Sequence, residues 1–233
     1  TSNAINPRAE ICIFMGITNP DNPPHQRQSQ VLVPMNTEGV EVIRPMHVFG
    51  YDDGYTGHPE VKFENVVVPK TNLIGGEGIG FKIAQARLGP GRIHHCMRTI
   101  GMSERALELM ISRTLEREAF GKKLSEQGVI QQWIAKSRIM IEEARLLTLK
   151  TAWLMDTVGK DQARIEISAI KVSVIETASY VIDKAIQAHG AMGVSQDTPL
   201  AKMAAGARVL RIADGPDEVH LQSIAKREIN KHR

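Results

Sequence analysis

Aromatic side chains are scarce in this chain: five Phe, three Tyr and two Trp among 233 residues. The core must therefore be built from Ile, Leu, Val, Ala and ten Met, which suits helix packing. Cysteine is nearly absent. Cys12 and Cys96 have no metal-type spacing. A disulfide between them stays open, but a reducing compartment is the simpler reading. Long apolar runs are missing too. None approaches the ~20 residues that span a bilayer, so a soluble protein is expected, in the cytoplasm or, in a eukaryote, in a mitochondrion or peroxisome. No excess of one charge exists, since 29 Lys and Arg face 26 Asp and Glu and the two signs are interleaved. No basic run is dense enough for nucleic acid, although a few arginines remain for a phosphorylated small ligand. Proline is absent between Pro90 and Pro199, a span of good helix formers.

What is present falls into two halves of different period. Residues 1–75 read as β structure. Short runs at 10–15, 30–34, 40–43, 60–64 and 66–68 are rich in β-branched residues, and several alternate apolar with polar. Asn19-Pro20-Asp21-Asn22-Pro23-Pro24 and Asp52-Asp53-Gly54 supply turn chemistry. So few strands would expose unpaired edges unless another segment completes the sheet. From 76 to 233 the period is helical. Helices are expected near 82–118, 127–157, 161–189, 197–212 and 216–230, with short connections that make an up-down bundle. The fold class is α+β: a partial antiparallel β domain over 1–75, then a helical bundle over 76–233. The chain opens on Thr1-Ser2-Asn3-Ala4, which reads either as cut from something longer or as a tag remnant.

Several motifs carry chemistry, each beside a blander reading. Gly75-Gly76-Glu77-Gly78-Ile79-Gly80 lacks the spacing and the βαβ setting of a dinucleotide fingerprint and reads as a flexible linker. Gly89-Pro90-Gly91 inside a helical stretch should kink or loosen it, and Arg92, His94 and His95 follow directly. Adjacent histidines point apart on a helix, so no metal site is expected there. Arg92 is either a structural cation or a ligand clamp. Arg117-Glu118-Ala119-Phe120-Gly121 reads as a helix C-cap, or as an Arg and a Phe facing a phosphate and a planar ring. Gln187-Ala188-His189-Gly190-Ala191 ends another helix at a glycine whose missing side chain also admits a ligand.

Asp214 stands in Ile212-Ala213-Asp214-Gly215-Pro216-Asp217-Glu218, where an apolar helix stops at a carboxylate followed by Gly-Pro. Asp217 and Glu218 fall in the first turn of the next helix, where the dipole favours negative charge. Asp214 is either an N-cap for that helix or a base held at a helix break, with Val209, Leu210 and Ile212 as the apolar neighbours a working base needs.

In this order, Arg-x-x-Phe-Gly at 117–121, Gln-x-x-Gly at 187–190 and Asp-Gly at 214–215 resemble the acyl-CoA dehydrogenase family of flavoproteins. The runs Gly91-Arg92-Ile93-His94-His95-Cys96-Met97-Arg98 and Ala213 to His220 look like the branch of family members 10 and 11. The resemblance covers the later strands of the family's middle β domain and its C-terminal helical domain. It implies α,β-dehydrogenation of an acyl-CoA thioester with FAD. Asp214 would replace the usual glutamate as α-proton base, with Arg92 and Gly215 at the substrate. Arg117 and Phe120 would contact FAD bound mainly by a partner subunit. Gln187, Gly190 and Ala191 would lie along its ADP portion, Ala191 replacing a usual glycine, and Thr1 would sit near flavin N5. A homodimer or homotetramer and an electron-transfer flavoprotein as acceptor are implied as well. The family's N-terminal helical domain and early strands are not in this sequence, so this portion alone is expected to be inactive. A helical scaffold that only oligomerises is the rival reading, and an acyl-CoA oxidase is the nearest enzymatic alternative.

Overall fold

The structure, a computed structural model, describes residues 2–233; Thr1, expected beside the flavin, lies outside them. The chain divides into two compact units, one ending at Leu88 and one running from Gly89 to Arg233.

In the first unit, β1 (Ile11–Ile17) and β2 (Gln28–Pro34) pair antiparallel, with Ile11 opposite Pro34 and Ile17 opposite Gln28. β3 (Val40–Met46) and β4 (His58–Phe63) form a second antiparallel pair, whose register shifts between Val42 and Arg44. Just past that shift, Arg44 faces Glu60 and ion-pairs with it at 2.7 Å. Ser29, Gln30 and Val33 of β2 are buried, whereas Ile11, Ile13, Met15 and Ile17 leave one face of β1 exposed.

Val66–Val68 is not a strand. Asn65 takes a left-handed φ of 52° and ends the run of β4, and Pro69 follows with no N–H to donate. Val67 consequently stands 85% exposed, because β-branched composition makes a strand only where a ladder partner exists. Nor is the glycine run slack. The Gly78 N–H donates to Ser29 Oγ at 2.9 Å, and Gln30 Nε2 donates to the Gly80 carbonyl at 3.1 Å. A Cβ on Gly78 would lie 2.8 Å from the Gln26 carbonyl oxygen, at a φ of +78°. Close backbone approach explains that glycine better than flexibility does.

The helices are α1 (Gly80–Glu116), α2 (Gly128–Thr157), α3 (Arg164–His189), α4 (Leu200–Leu210) and α5 (Asp217–Asn230). Each end falls within three residues of its expected place. α1 does not break at Gly89-Pro90-Gly91 but continues through it. Pro90 removes a single N–H, and the glycines on either side have no side chains to crowd its ring. In the second unit, α3 packs against α2, α4 and α5. Its Ile170, Val174, Ile175, Ala178, Val181, Ile182 and Ala185 are all fully buried, the mark of a helix that is apolar all round. Ile100, Leu107 and Met110 of α1, Ile141 of α2 and Leu200 of α4 complete that core. The architecture is α+β, with short antiparallel strand pairs followed by a helical bundle.

One polar tie joins α1 to α2. Arg138 Nη1 and Nη2 each donate to a Glu104 carboxylate oxygen at 2.8 Å, and Arg145 donates to the same group. The Arg138 hydrogen bonds hold the Glu104 carboxyl below its ordinary value. A depressed folded-state value means that the stabilisation is full above the ordinary Glu range and is lost as pH falls through the lowered one. Glu104→Gln is expected to destabilise the fold by about 1 kcal/mol at neutral pH. Thermal unfolding should show the gap to the parent closing below the carboxylate range. An equal gap at both pH values would rule out the charge as its cause.

Candidate active site

Between α4 and α5 the chain turns through Asp214 and Gly215, at φ values of 57° and 108°. Short polar residues tolerate the left-handed region better than most, and glycine tolerates it freely. The residue that caps α5 is Pro216, and no side chain caps that end. The N-cap reading of Asp214 is thereby overturned: its carboxylate is not spent on the α5 backbone. His95 Nε2 of α1 lies 3.1 Å from Asp214 Oδ2. That oxygen is buried, and the contact is off line for a hydrogen bond, so its lone pairs are otherwise unspent. The Asp214 backbone carbonyl accepts from Arg92 Nε at 3.0 Å and lies 3.3 Å from His220 Nε2. A Cβ on Gly215 would come within 2.9 Å of the same histidine ring.

The surroundings of Asp214 are thus cationic and polar, not apolar as expected. Leu210 is packed inward and Ile212 is 58% exposed. Helical spacing could not show that α1, distant in sequence, would deliver Arg92 and His95 to this loop. Burial pushes the Arg92 guanidinium down from its ordinary value, opposed by Asp214. Burial also pushes the His220 imidazole down, aided by Arg92 and Lys171. Lys171 of α3 is fully buried and donates to the Leu210 carbonyl, where α4 ends and the loop begins. Burial lowers its ammonium, while Cys96, Asp217 and Asp214 work the other way. Buried Cys96 is pushed up to about 12, which leaves a protonated, unreactive thiol. The neighbouring carboxylates are otherwise engaged. Asp217 is 4% exposed and accepts from Arg211 Nε at 2.6 Å, while Glu218 points to solvent in the first turn of α5.

A second cluster forms where α1 and α3 end. Arg117 lies just beyond α1 and opens a two-residue hairpin, β5 (Glu118–Ala119) with β6 (Lys122–Lys123). Phe120 and Gly121 form its turn with φ of 56° and 78°, the two positive values of a type I′ hairpin. The helix C-cap reading of this motif is therefore corrected: the glycine serves a hairpin. A bulky residue at positive φ is strained, and the Phe120 ring stands 96% exposed. Gly190 does cap α3, at φ 64°, with its N–H on the Gln187 and Ile186 carbonyls. Arg113, Arg117, Gln187, His189, Gly190 and Ala191 line an open groove of about 430 Å³. Arg113 Nε is buried there without a partner. Two guanidiniums four residues apart, one on the last turn of α1 and one just past it, the first with a spare donor, suit the anionic diphosphate of a dinucleotide. Arg113 escaped the sequence reading, although its spacing to Arg117 was the signal for it. The structure thus gathers Arg117, Gln187, Gly190 and Ala191 in one groove, and Arg92, Asp214 and Gly215 at one turn. Phe120 does not line the groove.

The family of acyl-CoA dehydrogenase C-terminal domains matches residues 78–229, and the chain belongs to the acyl-CoA dehydrogenase family. Acyl-CoA dehydrogenase family member 10 of Mus musculus is 57% identical over 98% of this chain, and family member 11 of Rattus norvegicus is likewise 57% identical over 98%. The chain spans only 21% and 30% of those two proteins. A solved Mycobacterium abscessus structure assigned to the acyl-CoA dehydrogenases superposes with a TM-score of 0.97 at 48% identity, over 100% of this chain and 57% of that one. Among the described residues, no helix is long and apolar enough to cross a membrane.

Proposed function

We propose that the protein containing this chain dehydrogenates an acyl-CoA thioester to the trans-2-enoyl-CoA, with Asp214 removing the α-proton. The observation that carries this reading is the turn itself. Asp214 caps no helix, its carbonyl is tethered from α1 and α5, and its side chain is left for chemistry. Asp is one methylene shorter than the family's usual glutamate, and a left-handed backbone offers a way to make up the reach. Arg92 holds the loop through its backbone and so keeps the carboxylate in place without neutralising it. Arg113, Arg117 and Gln187 would hold the diphosphate and ADP end of FAD, with Gly190 and Ala191 leaving room for its approach. FAD, when bound, supplies the acceptor for the β-hydrogen and its electron pair. The α-carbon's electrons then form the double bond as its proton moves to Asp214. An electron-transfer flavoprotein is the proposed oxidant of the reduced cofactor. The assembly is a homodimer or homotetramer in which Arg117 and Phe120 serve the partner's FAD.

The test is colour and its loss. The full-length protein should purify yellow and bleach when an acyl-CoA is added without oxygen. A colourless helical oligomer would support the scaffold instead, and rapid reoxidation by oxygen alone would support an oxidase. Arg117→Ala should weaken FAD retention roughly ten- to a hundredfold, since a guanidinium on a phosphate contributes about 1.5–3 kcal/mol. Flavin-saturated variant should react almost as the parent does. Unchanged FAD affinity would count against the groove.

A further inference from the structure

We propose, on the reading of Asp214 as the base, that His95 is its positioning residue: its Nε2, already beside Asp214 Oδ2, orients that carboxylate by hydrogen-bonding it once substrate is bound. The geometry fixes the tautomer. Arg98 Nη2 lies 3.0 Å from His95 Nδ1. A guanidinium can only donate, so Nδ1 carries the lone pair and Nε2 carries the proton. Nε2 itself lies 3.1 Å from Asp214 Oδ2, with its proton off line for that oxygen. Oδ2 is buried and accepts no hydrogen bond among the described residues, so no competing donor holds it. The contact is within hydrogen-bond distance but off line, and catalytic contacts of this kind tighten once substrate is bound.

The groups that face His95 decide its charge. Asp214, from the α4–α5 loop, favours the imidazolium. Arg98 and His94 on α1 and Lys171 on α3 oppose it, and burial opposes it most of all. His95 is therefore neutral at neutral pH. A neutral N–H orients the carboxylate without placing a full positive charge against it. The α-proton passes to Asp214 and remains there, while His95 keeps its own proton throughout. Below the His95 midpoint an imidazolium forms against Asp214, and proton removal slows.

The experiment uses the full-length, flavin-loaded protein labelled with [13Cε1]histidine, the His95 signal being assigned by its loss in His95→Gln. Its titration midpoint is expected below the ordinary 6.5. Asp214→Asn should lower it further by about one pH unit, because an attractive charge is removed. Anaerobic flavin reduction is then followed against pH. His95→Leu should be slower by about tenfold at neutral pH, for loss of one hydrogen bond to a charged group in the substrate complex, and should lack the His95 ionisation on its acid side. His95→Gln, which restores an N–H that cannot titrate, should be faster than His95→Leu and lack the His95 ionisation. A His95 midpoint unmoved by Asp214→Asn, or a His95→Leu profile that overlays the parent's, overturns the proposal. An Asp214→Asn protein that reduces flavin at the parent rate overturns the base reading instead, a result separable from the histidine titration.

Discussion

Asp214→Asn in the full-length protein is expected to keep FAD, still bind acyl-CoA and lose anaerobic flavin reduction by about 10²–10⁴-fold, the usual effect of removing a general base. The amide preserves the shape and, like aspartate, tolerates the left-handed backbone, but it cannot accept the α-proton. Asp214→Glu restores a carboxylate and should be milder in its effect. Its longer chain reaches further toward an α-carbon but fits the left-handed φ of 57° less well. The neighbouring carboxylates are the controls. Asp217→Asn leaves Arg211 without its charged partner and should lower stability while retaining flavin reduction. Glu218→Gln, on the exposed first turn of α5, should do little to either. Stopped-flow flavin bleaching decides. If Asp214→Asn bleaches at the parent rate and Glu218→Gln does not, the base is the other carboxylate.

The same substitution at two glycines should change stability in opposite directions. A Cβ at Gly193 would lie 2.5 Å from the Ile186 carbonyl oxygen and 2.9 Å from its Cα, so backbone would have to yield. Gly193→Ala is expected to destabilise by about 1–3 kcal/mol, as overpacking does. It should also disturb the turn after Gly190 that lines the groove, and so weaken FAD retention. Gly206, exposed in α4, meets nothing within 4 Å. Gly206→Ala should stabilise by roughly 0.5–1 kcal/mol, since alanine loses less chain freedom in a helix. Thermal unfolding of both variants checks this. A raised midpoint for Gly193→Ala would show that the turn does not press on α3.

Helical period is a local property repeated over many turns, which is why α2 and α3 were readable to within three residues at each end. Their apolar positions recur along 30 and 26 residues, and packing follows from that pattern. Val66–Val68 was misread because a strand depends on a partner elsewhere in the chain. Phe120-Gly121 was misread because a glycine after a helix looks the same whether it caps the helix or turns a hairpin. The acid-Gly pair at 214–215 announced itself, but its true neighbours did not. Arg92 and His95 arrive from a helix more than a hundred residues away, and only packing brings them to the loop. His220 is six residues off, yet its approach depends on the left-handed turn through Asp214 and Gly215. Apolar neighbours in sequence were therefore a poor guide to the polarity that Asp214 experiences.

The turn through Asp214 and Gly215 has a chemical consequence for anyone who mutates it. Asparagine followed by glycine is the sequence most prone to deamidation, because a glycine amide nitrogen, unshielded by a side chain, can close on the preceding carboxamide. The cyclic imide then opens to aspartate or isoaspartate. Asp214→Asn therefore creates Asn-Gly at the base position and can repair itself on storage. Activity that grows with the age of the preparation, accompanied by a gain of one mass unit in the peptide spanning 212–217, would be regenerated aspartate. A fresh sample, or Asp214→Ala beside it, separates a truly dispensable carboxylate from one that has grown back.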